Sequence, residues 1–118
     1  MPGMSEDGFQ VAGRSGATSG VHVVQVKGPI TYATSPAVRD AVVAAGPINV
    51  IIDLTDVPSI DSTAIGTLVR AFVTCNKAGR KMALVGLNHR VTHVLQLTGV
   101  DSLFDRHATL PEAEAALS

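Results

Sequence analysis

Five residues in the middle of the chain, Val50-Ile51-Ile52-Asp53-Leu54, form an apolar run rich in β-branched side chains with one polar interruption. A strand of that kind is covered on both faces, and such strands belong to α/β layers. Beyond it, Ile65, Leu68, Val69, Phe72 and Val73 recur at the i, i+3, i+4, i+7, i+8 spacing of one helix face, and Gly79 supplies a stop. The unit that most restricts the fold is therefore a buried strand handing over to an amphipathic helix through Val57-Pro-Ser-Ile-Asp61-Ser62-Thr63.

The remaining chain supplies similar units. Residues 1–7 read as a mobile tail, and residues 8–118 as a single domain. Phe9–Arg14 alternates weakly and Val21–Val26 alternates well, with a turn between them, so the two pair as an opening hairpin. Ser35-Pro36 has the form of an N-cap followed by proline, and Val38, Ala41, Val42 and Ala45 give a helical stripe up to Gly46. Lys81–Gly86 is a further short apolar strand, and Asn88 can cap a helix that carries Val91, Val94 and Leu95 and stops at Gly99. A short strand is expected around Leu103-Phe104. Thr109-Leu-Pro-Glu112 has capping-box spacing for a last helix to about Leu117. Strands alternating with helices predict a mixed, mainly parallel sheet with an antiparallel N-terminal edge strand and about four helices.

Composition narrows the function. A net charge of −1 with 16% charged residues gives no electrostatic footprint for nucleic acid or an anionic membrane. No apolar stretch approaches a membrane span and the N-terminus has no secretory pattern, so a cytoplasmic location is expected. The single cysteine, Cys75, falls within the long helix and reads as a structural thiol.

Several catalytic and metal readings fail on spacing. His89 and His93 stand at i, i+4 but lack a third ligand, and Arg90 sits between them. His22 and His107 have no spacing relation to an acid or hydroxyl and read as surface residues. No G-x-G-x-x-G or P-loop pattern occurs. Asp53 resembles a receiver phosphoacceptor, but Lys27-Gly28-Pro29 after the preceding strand offers no acid pair for Mg²⁺. Ser62 lacks a nucleophile elbow and a partnered histidine. Neither an enzyme nor a metal or cofactor site is expected. What remains is Asp61 as an N-cap, with Ser62 and Thr63 in the first turn, where a phosphate would meet the positive end of the helix dipole. Gly66 lies inside the helix, where close approach of another backbone or of a partner would account for it, and a tight helix-on-sheet contact would do so equally well.

From about Val21 to Leu117 the chain resembles the STAS domains, shared by sulfate-transporter tails and bacterial anti-sigma factor antagonists. The resemblance is carried by Val50–Leu54 before Ile60-Asp61-Ser62-Thr63-Ala64-Ile65-Gly66, by Ala78–Val85, and by Arg90-Val91 through Gly99-Val100 with Leu103-Phe104 following. The short chain looks like a stand-alone antagonist. It implies a STAS-type fold and, as partner, an anti-sigma-factor kinase of the histidine-kinase-like ATPase fold. This kinase binds only the unphosphorylated antagonist and phosphorylates the second hydroxyl of the motif. A protein phosphatase and a weak homodimer are further candidate partners. By position the acceptor is Thr63. Ser62 is second choice, because some relatives carry the phosphorylated hydroxyl one place earlier. The partner surface implied comprises Ile30, Thr31, Ser59, Asp61, Ser62, Thr63, Ala64, Gly66 and Thr67. The chain departs from the usual antagonist pattern at Thr63 (for serine), at Ala64 (for glycine) and at the 28–32 loop, where threonine replaces an aspartate. A phosphorylation-independent scaffold or ligand-sensing module is the alternative.

Overall fold

The apolar run at 50–54 lies in the central strand of a five-stranded sheet. In the computed structural model, which describes residues 8–17, 20–46 and 48–117, β3 (Asn49–Asp56) is parallel to both of its neighbours, β2 (Val21–Lys27) and β4 (Met82–Val85). The edges are β1 (Gln10–Ser15), antiparallel to β2, and β5 (Asp105–His107), parallel to β4. The expected mobile tail at 1–7 lies outside the described residues, as does part of the turn before β2.

Each parallel connection carries a helix: α1 (Ser35–Ala44), α2 (Ser62–Lys77) and α3 (His89–Leu97). All three lie on one face, because successive right-handed crossovers that step in one direction along a sheet stay on one side. There Val38 and Val42 of α1, Ala64 and Leu68 of α2, and Val91 and Leu95 of α3 close over Val24, Val50, Ile52 and Leu54. A fourth helix, α4 (Leu110–Leu117), covers the other face, where Ala113 and Leu117 meet Val23, Ile51, Ala83 and Val85. Alternate residues of β3 thus enter different cores, and Val50, Ile51, Ile52 and Leu54 are fully buried. Each such aliphatic side chain contributes about 1.5–3 kcal/mol of burial.

Several local expectations shift. The strand expected at Leu103-Phe104 is instead a 3₁₀ turn, Asp101–Leu103, and β5 follows it. Phe104 is buried rather than paired, and its ring meets Phe72 edge-on at 5.9 Å. The N-cap of α1 is Thr34 and not Ser35. Thr34 Oγ1 accepts from the Thr31 N–H (2.8 Å) and donates to the Pro29 carbonyl (3.0 Å), so its hydroxyl organises the loop before the helix. On α2, Ala64 and Cys75 are buried while Val73 is 41% exposed, so the inward stripe is rotated from the one the large apolar residues outline. His22 is half-buried over Gly13, and a Cβ on that glycine would lie 2.6 Å from its Nε2. His107 is also half-buried, with Nε2 3.2 Å from Asp105 Oδ2, a partner two residues away that is brought to the same side by the strand period.

The end of β4 shows how tightly the parallel strands are set. Gly86 has φ +73°, and a Cβ there would lie 3.0 Å from Thr55 Cα. Gly86→Ala is expected to lower the unfolding free energy in urea by about 2 kcal/mol or more, since left-handed backbone strain and displacement of Thr55 add.

Candidate functional site

The loops that follow β2 and β3 form the part of the molecule where Ser62 and Thr63 lie. They do not hang free, because the parallel pairing of the two strands continues into them. One extra residue in β3 between Asp53 and Asp56 makes a bulge opposite Gln25–Lys27. Beyond it the Gly28 N–H donates to the Asp56 carbonyl (3.0 Å), the Ile30 N–H to the Ser59 carbonyl (3.1 Å), and the Asp61 N–H to the Ile30 carbonyl (3.1 Å). Ile30 and Ile60 form an isolated parallel bridge.

Asp61 joins the two loops. Oδ1 accepts from the Ala64 N–H at 2.9 Å, the N-cap bond expected from sequence, while Oδ2 accepts from the Tyr32 N–H at 3.0 Å. The second bond spans 29 positions and is invisible to local pattern. Asn88 secures the same loop from the other side: it caps α3 through the Val91 N–H (2.8 Å), and its Nδ2 donates to the carbonyls of Val57 (3.1 Å) and Pro58 (3.2 Å). Every turn between β3 and α2 is therefore held by a backbone or cap hydrogen bond to a distant segment.

On this frame Ser62 and Thr63 occupy the first turn of α2, and both are exposed. No acidic residue lies in that turn. The hydroxyls face solvent at a helix N-terminus, where an added phosphate is electrostatically tolerated. Asp61, Ser59, Thr31 and Gly66 are half-buried around them. Ile30 and Ala64 are fully buried and Thr67 is 9% exposed. Ile30 and Ala64 thus position the loop and helix from within the core, while Thr67 reaches the surface only at the groove described next. A Cβ on Gly66 would meet nothing within 4 Å, so among the described residues neither a close backbone approach nor a tight helix-on-sheet contact accounts for this glycine.

Alongside Thr63 runs a groove of about 650 Å³ between α1 and α2, lined at one end by Tyr32, Ser35 and Thr63. Sequence reasoning missed it, since its walls come from two helices separated in sequence by the whole of β3. Cys75 lies in its floor at 1% exposure, and burial pushes its thiol up from the usual value while nearby Arg80 partly offsets the shift. It is a poor nucleophile for that reason. His89 and His93 are exposed on α3, and among the described residues no three His, Cys, Asp or Glu side chains gather as a metal site. Nor is any helix among them long and apolar enough to cross a membrane.

The five-stranded sheet with one antiparallel edge strand and four helices matches the STAS fold. Residues 15–113 fit the model of the STAS domain. The chain belongs to the STAS family. An anti-sigma-B factor antagonist of Listeria monocytogenes is 33% identical over 84 residues, covering 68% of this chain and 73% of the relative. A Thermotoga neapolitana protein described as a TM1081 homolog is 35% identical over 65 residues, and here the match spans only 58% of the relative's length and 55% of this STAS chain. Among solved structures, an anti-sigma factor antagonist from Mycobacterium paratuberculosis superposes with a TM-score of 0.82 at 27% identity, over 96% of this chain and 97% of that one.

Two substitutions test the frame. Asp61→Ala is expected to cost about 1–2 kcal/mol in chemical denaturation and to speed amide exchange at both Tyr32 and Ala64. Gly66→Ala is expected to raise stability by up to about 1 kcal/mol, because its methyl enters open space and improves helix propensity.

Proposed function

We propose that residues 8–118 form one non-enzymatic signalling module, an anti-sigma factor antagonist that binds an anti-sigma factor and thereby controls release of a sigma factor. The named relatives support the antagonist role. The finer reading is that the partner is a kinase of the histidine-kinase-like ATPase fold, that it phosphorylates Thr63, with Ser62 as the alternative acceptor, and that the phosphorylated form no longer binds. A phosphatase would restore binding, and the module works in the cytoplasm.

One observation carries this reading: two exposed hydroxyls in the first turn of a helix whose start is clamped to the neighbouring loop by Asp61. A kinase needs an accessible acceptor on a rigid surface, and a partner-binding face needs the same rigidity. A phosphate there brings about −1.5 to −2 charges beside the Asp61 carboxylate. It repels an acidic or apolar partner face without unfolding the helix. The alanine at position 64 does not obstruct such a kinase, because its methyl is turned into the core at 0% exposure.

The second reading, a phosphorylation-independent scaffold or ligand sensor, is favoured by the groove beside Thr63 and by the absence of an acid from the loop at Thr31.

Incubation with the cognate kinase and ATP, followed by phosphosite mass spectrometry, is expected to find phosphate on Thr63. Thr63→Glu should weaken binding to the anti-sigma factor at least tenfold, while Thr63→Ala retains it. Equal affinity of the two variants, with no phosphate on Thr63 or Ser62, would move the function to the second reading.

A further inference from the structure

The groove between α1 and α2 has a chemical gradient along its length. Both helices follow parallel strands on the same face, so they run side by side in the same direction. The groove therefore starts at two helix N-termini and ends at two C-termini. Neither first turn holds an acidic residue. The first half is polar and cationic, with Ser35 and Arg39 from α1 facing Thr63, Thr67 and Arg70 from α2. The second half is walled by Val42, Val43, Ala71, Cys75 and Ala78. Arg80 closes the far end by donating from Nη1 to the carbonyls of Gly46 (2.5 Å) and Ile48 (3.4 Å), which bridges the ends of the two helices.

Three features mark this as a binding site rather than a seam. All three charged residues that line it are arginines, and no carboxylate is among them. Of these, among the described residues, Arg39 is held by an exposed pair with its neighbour Asp40, which is worth little, and Arg70 is exposed without an ion pair. The third feature is polar and buried. Ser35 is 3% exposed and its Oγ has no hydrogen-bond partner, and Arg80 Nε is likewise buried and unpartnered. Buried polar atoms in native proteins are normally satisfied, so the unpartnered Ser35 Oγ at the polar end of the groove points to a missing ligand there.

We propose that this groove binds a single-chain amphipathic anion of the fatty-acid class, with its carboxylate at Arg39 and Arg70 near the helix N-termini and its alkyl chain along Val42, Ala71 and Cys75. Guanidinium groups bind carboxylates through paired charge-assisted hydrogen bonds, and the helix dipoles add to the attraction. The aliphatic floor selects a chain over a flat ring: Tyr32 is the only aromatic residue lining the groove, and no glycine-rich phosphate loop adjoins it. Ten residues of α1 span about 15 Å, room for a medium-length chain laid lengthwise. The site does not depend on phosphorylation of Thr63, although a bound carboxylate lies close enough to that hydroxyl to shield it.

The test is an NMR titration of the ¹⁵N-labelled full chain with sodium laurate below its micelle concentration, with 1-dodecanol as the uncharged control. Saturable amide shifts confined to α1, α2 and residues 32–35 are expected, with laurate at least tenfold tighter than dodecanol. The double variant Arg39→Gln/Arg70→Gln should weaken laurate at least tenfold and leave dodecanol unchanged. Ala71→Phe, which fills the floor, should abolish both with the fold preserved by circular dichroism. Absence of saturable shifts, equal affinity for laurate and dodecanol, or unaltered laurate binding by the double variant would each overturn the proposal. None of these results depends on a kinase or on phosphorylation, so failure here leaves the antagonist reading standing.

Discussion

The structure depends on β3 being buried on both faces. A strand with apolar side chains on alternate sides cannot be stable at an edge or with one face in water, so it needs parallel neighbours and a layer on each side. Val50, Ile52 and Leu54 demand one layer and Ile51 the other, and α1, α2 and α3 on one side with α4 on the other meet that demand. Parallel neighbours in turn require crossovers, and right-handed crossovers put the starts of α1 and α2 side by side at the same end of the sheet. The loop pair around Asp61 and the groove between the helices follow from that placement.

Rigidity at this end comes from the reuse of caps. Asp61 and Asn88 each perform an ordinary duty at a helix start and then spend a second polar atom on a loop from elsewhere in the chain. An N-cap is a fixed point, so a loop tied to it inherits its position. Ser62 and Thr63 are therefore exposed without being mobile in the manner of a loop tip. The groove alongside opens onto the same surface. Its arginine-lined end adjoins Thr63 at the start of α2.

Much of this was legible in the residues. The apolar run at 50–54 and the periodic stripe that begins at Ile65 are long-range consequences written locally, because burial on two faces or on one stripe leaves a pattern in side-chain type. The cap roles of Asp61 and Asn88 were legible for the same reason. Smaller residues misled. Ser35-Pro36 has the look of a helix start, yet Thr34 takes the cap position because its hydroxyl also closes the loop to Pro29 and Thr31. Ala64 and Cys75 occupy the inward face of α2 while the larger Val73 is left half outside, since close contact with the sheet favours small side chains. Phe104 has the composition of a strand residue but serves as a plug against Phe72.

By itself the sequence determined the layered α/β class, the order of elements, the family and the acid with two hydroxyls at the start of α2, because each is expressed in residues close together along the chain. Tertiary structure alone decided that Asp61 clamps Tyr32, that Ile30 and Ala64 face the core, that Gly66 has open space beside it, and that three arginines line one groove. Those properties are made by pairs of segments about thirty positions apart, and the spatial meeting of such segments is set by strand register and crossover handedness, which no local pattern of side chains encodes.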